Sequence, residues 1–485
     1  MKSIIYIALA AVVLVAASCN EVLDRTPQGE YTLNNFFKTE EQAVQSVNAV
    51  YNQLRQWQTH VFAFIGMTDI VSDDADKGSF TADGFFLQEV DDFTFTATNT
   101  APSTVWGGYY TGVFRSNLAV SRIPEVPTMD ETLRARLIGE AKFLRAYYYF
   151  NLVRWFGDVP LILDPFPTDF EISRSPRDEV YAQIEADLRA AADVLPATYS
   201  GADVGRATSG AAKAMLAKVA LTRKNYQMAA DLSLEVINSG RYSLLPSYAQ
   251  VFTLEGENSS ESIFEVQAAA FEIGGGGSQY NEVQGVRGVP NLGWGFNKPS
   301  DNLVQAFESG DPRRDATILY VGEVLPDGSA IVVGDDNIVG ERFNQKAFVP
   351  KHPGGNGNGP GNVRVFRYAD LLLIAAEALN EIGQPEQALV YLNQVRERAR
   401  GGNDNVLPDV TTTDKNALRT AILKERRVEL ALEQHRWFDL VRTDRAAEVM
   451  QPLRPNFTPG KNELFPIPQT EIDLSQGALT QNPNY

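Results

Sequence analysis

A pattern of small residues repeated at one constant offset constrains this chain more than any other feature. Ala217, Ala220, Leu221, Ala230, Leu234 and Ile237 recur as Ala375, Ala378, Leu379, Ala388, Leu392 and Val395. Each copy carries a turn, Asn225 or Gly383, five residues before the alanine of its second helix. Alanine at this spacing lets two antiparallel helices approach closely, as in tetratricopeptide-type pairs. The copies are far apart in sequence. The spacing therefore predicts a mainly α fold, a tetratricopeptide-like helical repeat scaffold interrupted by an insertion and then resumed. The 485 residues exceed the ~250–300 that one core supports, so two lobes or an extended helical array are expected.

Periodicity supplies further helices. Ala43, Val47, Val50 and Leu54 mark one face over 40–57. Leu133, Leu137, Ala141, Leu144, Tyr148, Leu152 and Trp155 mark a second helix, which stops at Gly157 with Pro160 just beyond. Pro176 opens a third that runs to about Leu195, and helices are expected again over 369–379, 385–400 and 414–442. Residues 59–110 read as loop-rich and 464–485 as coil. The insertion holds glycine clusters at 274–277 and 354–361 and short β-type runs at Ser262–Val266 and 330–333. The expected division is a leader over 1–18, a tether over 19–29 and an N-terminal helical region over 30–245. A loop-rich insertion over 246–364 and a C-terminal helical region over 365–485 complete it.

The beginning of the chain suggests an address. Lys2 precedes an apolar run, Ile4 to Ala17, that is short of the ~20 residues a membrane-spanning helix needs. The single cysteine, Cys19, follows Ala16-Ala17-Ser18, where a lipoprotein signal peptidase would cut and the thiol be acylated, although leucine is usual at the position of Ala16. Each acyl CH₂ buried contributes about 0.8 kcal/mol, so several chains on Cys19 would hold the protein on a membrane. The alternative is a secreted protein with a spare thiol.

Motifs for chemistry are sparse. The formal charge of −18 disfavours nucleic acid as a partner. His60, His352 and His435 fit no metal motif, and Asp74-x-Asp76-x-Gly78 lacks the acid a calcium loop needs, having Phe85 there. Neither a metal nor a cofactor is expected. No Gly-Lys-Ser/Thr follows the glycine clusters, and no Gly-x-Ser-x-Gly turn occurs. Glu429 and Glu433 would share a helix face, as a glycosidase pair could, but Arg426, Arg427 and Arg436 nearby favour helix-surface charge pairs.

The aromatic residues say more. Trp155 and Trp437 lie in helical stretches and read as core, and Trp57 and Trp106 as structural. Trp294 stands between glycines in the insertion, with Phe296 close by and Tyr280 upstream. Such a ring is a natural platform for the apolar face of a sugar or a peptide side chain, or else a loop hydrophobe tucked into the core. Phe85 and Phe86 on the earlier loop are weaker candidates. Asp73, Asp74 and Arg287 are the hydrogen-bonding candidates, and the two acids would favour neutral or amine-bearing ligands.

Several blocks carry a family resemblance. The stretch Gly139-Glu140-Ala141-Lys142-Phe143-Leu144-Arg145-Ala146-Tyr147-Tyr148-Tyr149-Phe150, continuing to Trp155-Phe156-Gly157-Asp158-Val159-Pro160-Leu161, resembles the SusD/RagB signature. So do Arg367-Tyr368-Ala369-Asp370, Glu425-Arg426-Arg427-Val428-Glu429-Leu430, His435-Arg436-Trp437-Phe438-Asp439-Leu440 and the ending Phe465-Pro466-Ile467-Pro468 with Gln481-Asn482-Pro483. The resemblance implies a surface-exposed outer-membrane lipoprotein that binds oligosaccharides, less often peptides. It also implies a SusC-type TonB-dependent transporter as partner, and capture without catalysis. The competing readings are a helical glycosidase and a protein-binding repeat scaffold. Family ligand contacts come from variable loops, so the candidates named above rest on residue type and placement.

Overall fold

The computed structural model describes residues 36–166, 172–270, 275–333, 342–354 and 357–485. Cys19, the leader and the tether lie outside the described residues.

Ten helices form the frame. Helix α1 (Glu40–Leu54) starts in a capping box, with the Thr39 hydroxyl accepting from the Gln42 N–H and the Gln42 side chain accepting from the Thr39 N–H. Helix α2 (Thr100–Arg122) is capped by the Asn99 side chain, and α3 (Glu131–Phe156) by that of Asp130. The chain leaves α3 at Gly157, where φ is 71°, a conformation that suits glycine. Then come α4 (Arg177–Val194), α5 (Ser209–Thr222) and α6 (Tyr226–Asn238). After the insertion follow α7 (Tyr368–Glu381), α8 (Pro385–Arg400), α9 (Lys415–Glu429) and α10 (Arg436–Arg442).

Each helix from α2 to α6 packs on the next, and α6 packs on α7, so the array is continuous in space across the insertion. The repeated alanines sit where the helices touch: Ala217, Ala220, Ala230, Ala375, Ala378 and Ala388 are all buried. Trp155 and Trp437 lie in the core, fully buried. The strands are β1 (Ala75–Gly78), β2 (Ser262–Val266), β3 (Phe296–Pro299), β4 (Ile318–Tyr320), β5 (Arg342–Asn344) and β6 (Val363–Arg367). Among the described residues they form three antiparallel pairs, β1–β3, β2–β6 and β4–β5.

The structure departs from the sequence expectations at several places. The stretch 59–110 is largely helical, with turns at Trp57–His60 and Phe62–Ile65, a π-turn at Gly66–Ile70, a helix at Phe85–Asp91 and the start of α2. Glycines disguised α2, and they serve close approach. A Cβ on Gly108 would stand 2.4 Å from the Gln58 carbonyl, and one on Gly112 2.4 Å from the Tyr148 ring. The expected helix over 414–442 breaks after Glu429, because Leu432 and Gln434 take φ of 59° and 64°. Gln434 turns to meet the buried Asp69, donating its N–H to Oδ1 at 3.0 Å and its amide to Oδ2 at 2.9 Å. Residues 330–333 form only isolated bridges, Val324 to Ile331 and Val289 to Val333. The end segment carries a short helix, Gln469–Leu474, and packs closely: the Phe465 N–H donates to the Trp155 carbonyl at 2.7 Å.

Glu429 and Glu433 are interior, not surface, charges. Glu429 is fully buried among Arg313, Arg367 and Arg398, and Glu433 pairs with Arg367 at 2.6 Å and Lys346 at 2.7 Å. Arg313 and Lys346 come from the insertion, so the network bolts it to α8 and α9. Burial alone would raise the Glu429 pKa; Arg398, Arg367 and Arg313 outweigh it and hold the carboxyl well below its ordinary range.

Candidate functional site

The β1–β3 ladder brings together two loops that are remote in sequence. Ala75 pairs with Pro299, Asp76 with Lys298 and Gly78 with Phe296. The loop after β1, 79–84, thereby lies beside the loop before β3, and the Ser79 N–H donates to the Gly295 carbonyl at 2.8 Å. A Cβ on Gly78 would meet that same carbonyl oxygen at 2.4 Å, so the junction requires glycine.

Between the loops is an open cleft of ≈ 970 Å³. Its apolar side is formed by Phe62, Phe80, Trp294 and Phe296. The rings support one another: Phe62 and Phe296 meet edge to face at 4.6 Å, and Trp57 lies 5.3 Å from Phe62 and 6.0 Å from Trp294. Trp294 is half-buried, and its backbone N–H donates to the Glu282 carbonyl at 2.9 Å. The indole is held on its inner side and open to the cleft.

The loop 79–84 is organised from beneath by Lys77. Its ammonium donates to the carbonyls of Phe80 and Asp83, each at 2.8 Å, and to that of Thr81 at 3.4 Å. Burial lowers the Lys77 pKa, opposed by Asp83, Asp91 and Asp92. Asp91 accepts from the Lys77 N–H at 2.8 Å, and burial pushes its own pKa up to about 6. On the rim, the Arg287 guanidinium lies 3.4 Å over the Phe80 ring and donates from Nη1 to Asp83 at 2.6 Å and to the Ser79 hydroxyl at 2.8 Å.

The structure gathers Trp294, Phe296 and Arg287 at this cleft. Phe86 stands behind the wall, 5.3 Å from Phe62, while Phe85 is 67% exposed and does not line the cleft. Tyr280 is buried, with its hydroxyl hydrogen-bonded to Gln434. Asp73 and Asp74 are not available to a ligand. Both are buried, Asp73 against Arg436 at 2.7 Å and Asp74 against Arg427 at 2.7 Å, because α9 and α10 bring these cations onto the acidic turn. Sequence reasoning missed Phe62, Phe80 and Asp83 and read Trp57 as merely structural. The Asp83-Gly84 pair is a turn signal that marks the loop tip. Among the described residues, no group of three or more His, Cys, Asp or Glu could hold a metal ion, and no helix is long and apolar enough to cross a membrane.

The profile described as the SusD family matches residues 260–485, and one described as starch-binding associating with outer membrane matches residues 23–221. SusD-like protein P2 of Formosa agariphila is 31% identical over 99% of both chains. Among solved structures, a laminarin-binding SusD-like protein is 34% identical with a TM-score of 0.80, the match covering 92% of this chain and 100% of that one. Surface glycan-binding protein A from Bacteroides fluxus is 27% identical with a TM-score of 0.78 at the same coverage.

Proposed function

The chain belongs to the SusD family, and from that membership we propose that it is a surface glycan-binding lipoprotein that captures oligosaccharide without turning it over. The observation that carries the reading is the aromatic wall of Trp294, Phe62 and Phe296 facing an open cleft beside the Arg287–Asp83 pair. Flat rings suit the apolar faces of sugars, and the polar rim suits their hydroxyls. The names of the laminarin-binding and surface glycan-binding relatives support the ligand class.

Acylation of Cys19 would anchor the protein to the outer membrane, and a SusC-type TonB-dependent transporter would receive the captured glycan. The Lys77-braced loop and the β1–β3 ladder favour a pre-formed site, so little ordering free energy is lost on binding. The reading is tested by probing a glycan and peptide array with soluble protein beginning after Cys19. Binding to one glycan class, with no new reducing ends after incubation, is the expected result. Binding confined to peptides, or cleavage of a polysaccharide, would replace it.

A further inference from the structure

Among the described residues, Asp83 and Arg287 are the only charged side chains that line the cleft, and they face each other at 2.6 Å. Arg287 is fixed on three sides, by the Phe80 ring, the Ser79 hydroxyl and the Asp83 carboxylate. Its Nε and Nη2 make no hydrogen bond among the described residues. A guanidinium with part of its fork open would by itself recruit carboxylate or sulfate groups, which it can bind bidentately.

Asp83 reverses that preference. Its side chain is 39% exposed, so it cancels the charge of Arg287 and presents a negative group to solvent beside the open fork. It cannot easily swing aside, because its own carbonyl is held by the Lys77 ammonium at 2.8 Å and its carboxylate also accepts from Ser79 at 3.2 Å. We propose that Asp83 is the specificity residue of the cleft, restricting it to uncharged glycans while leaving Arg287 as a hydrogen-bond donor to sugar hydroxyls. This rests on the glycan-capture reading and narrows it. It also moves the charge discrimination from the buried Asp73 and Asp74 to a carboxylate that a ligand can meet.

The test is titration calorimetry with laminarihexaose and with the same hexasaccharide oxidised to carboxylates at C6. Wild-type protein should favour the neutral sugar. Asp83→Asn should raise the ratio of charged to neutral affinity on the order of tenfold at low salt, with the gain shrinking at high salt. Arg287→Gln should lower that ratio, and the double variant should lack the gain, which a general loosening of the loop would not reproduce. An unchanged ratio in Asp83→Asn while laminarihexaose still binds, or a wild-type preference for the carboxylate, overturns the role of Asp83 alone. Failure of wild-type protein to bind laminarihexaose overturns it together with neutral-glucan capture at this cleft.

Discussion

Trp294 both faces the cleft and packs inward on Trp57 and Phe62. Trp294→Ala should therefore weaken glycan binding at least tenfold, or about 1.4 kcal/mol. It should also cost about 1–2 kcal/mol of stability, because Trp57 and Phe62 would be left facing the space the indole fills. Calorimetric titration and denaturant unfolding measure the two separately. Lys77 presents a different case, since it does not itself line the cleft. Lys77→Met would leave three loop carbonyls without their ammonium, and amide exchange over 79–84 should rise while the helices stay protected. Part of this site was legible by residue type: Trp294, Phe296 and Arg287 stood in a glycine-rich loop. The other half was not, because Phe80 and Asp83 reach Arg287 across more than 200 positions, and no local pattern records that pairing. Asp73 and Asp74 misled for a related reason, as their neutralising arginines come from the far end of the chain.

The helix pairs were readable because close packing leaves alanine at fixed intervals, and α5 to α8 bear that imprint. Helix α2 was hidden, since Gly108 and Gly112 depress helix propensity in order to admit Gln58 and Tyr148. The break between α9 and α10 was equally invisible, because residues 430–435 read as helix while the remote Asp69 and Tyr280 hold Gln434 out of it. Asp69 is a buried carboxyl whose pKa burial pushes up to about 7. In the cleft loop, Gly84 sits at φ 56°, and a Cβ there would approach Phe296 to 2.9 Å and Phe62 to 3.1 Å. Gly84→Ala should displace the aromatic wall and lower glycan affinity several-fold while the helical circular dichroism is unchanged.

Over the entire protein, losing one partner from the buried charges that join the insertion to α8 and α9 should be strongly destabilising. Glu429→Gln would remove the carboxylate that Arg313, Arg367 and Arg398 share, leaving uncompensated buried positive charge even though each arginine keeps another acid, and should cost about 3–5 kcal/mol in denaturant unfolding. Removing the exposed Lys224–Asp444 pair should change it by less than about 1 kcal/mol. Acid should act through several groups. Burial holds His60 at about 4 and His435 at about 3, below the ordinary 6.5, so the unfolded chain takes up more protons as pH falls through that window and stability is lost. Asp69 at about 7 and Asp91 at about 6 act oppositely, since the folded protein holds their protons first. Below about pH 4 those two no longer compensate. Glu429 and Asp439, held low against burial by their arginines, then stay ionised in the folded protein while the unfolded chain protonates them, which favours unfolding. Unfolding free energy should stay nearly level from pH 7 to about 4.5 and drop steeply below it, as denaturation series across pH would record.

The pairing of Asp73 with Arg436 has a consequence for how the protein is made. Its two partners are 363 positions apart, so at ~5–20 residues per second the aspartate leaves the ribosome roughly 20–70 s before its guanidinium exists. A chain interrupted anywhere in that interval leaves Asp73 without Arg436. Truncated chains ending before Arg436 should therefore be cut by proteases more readily than the whole chain.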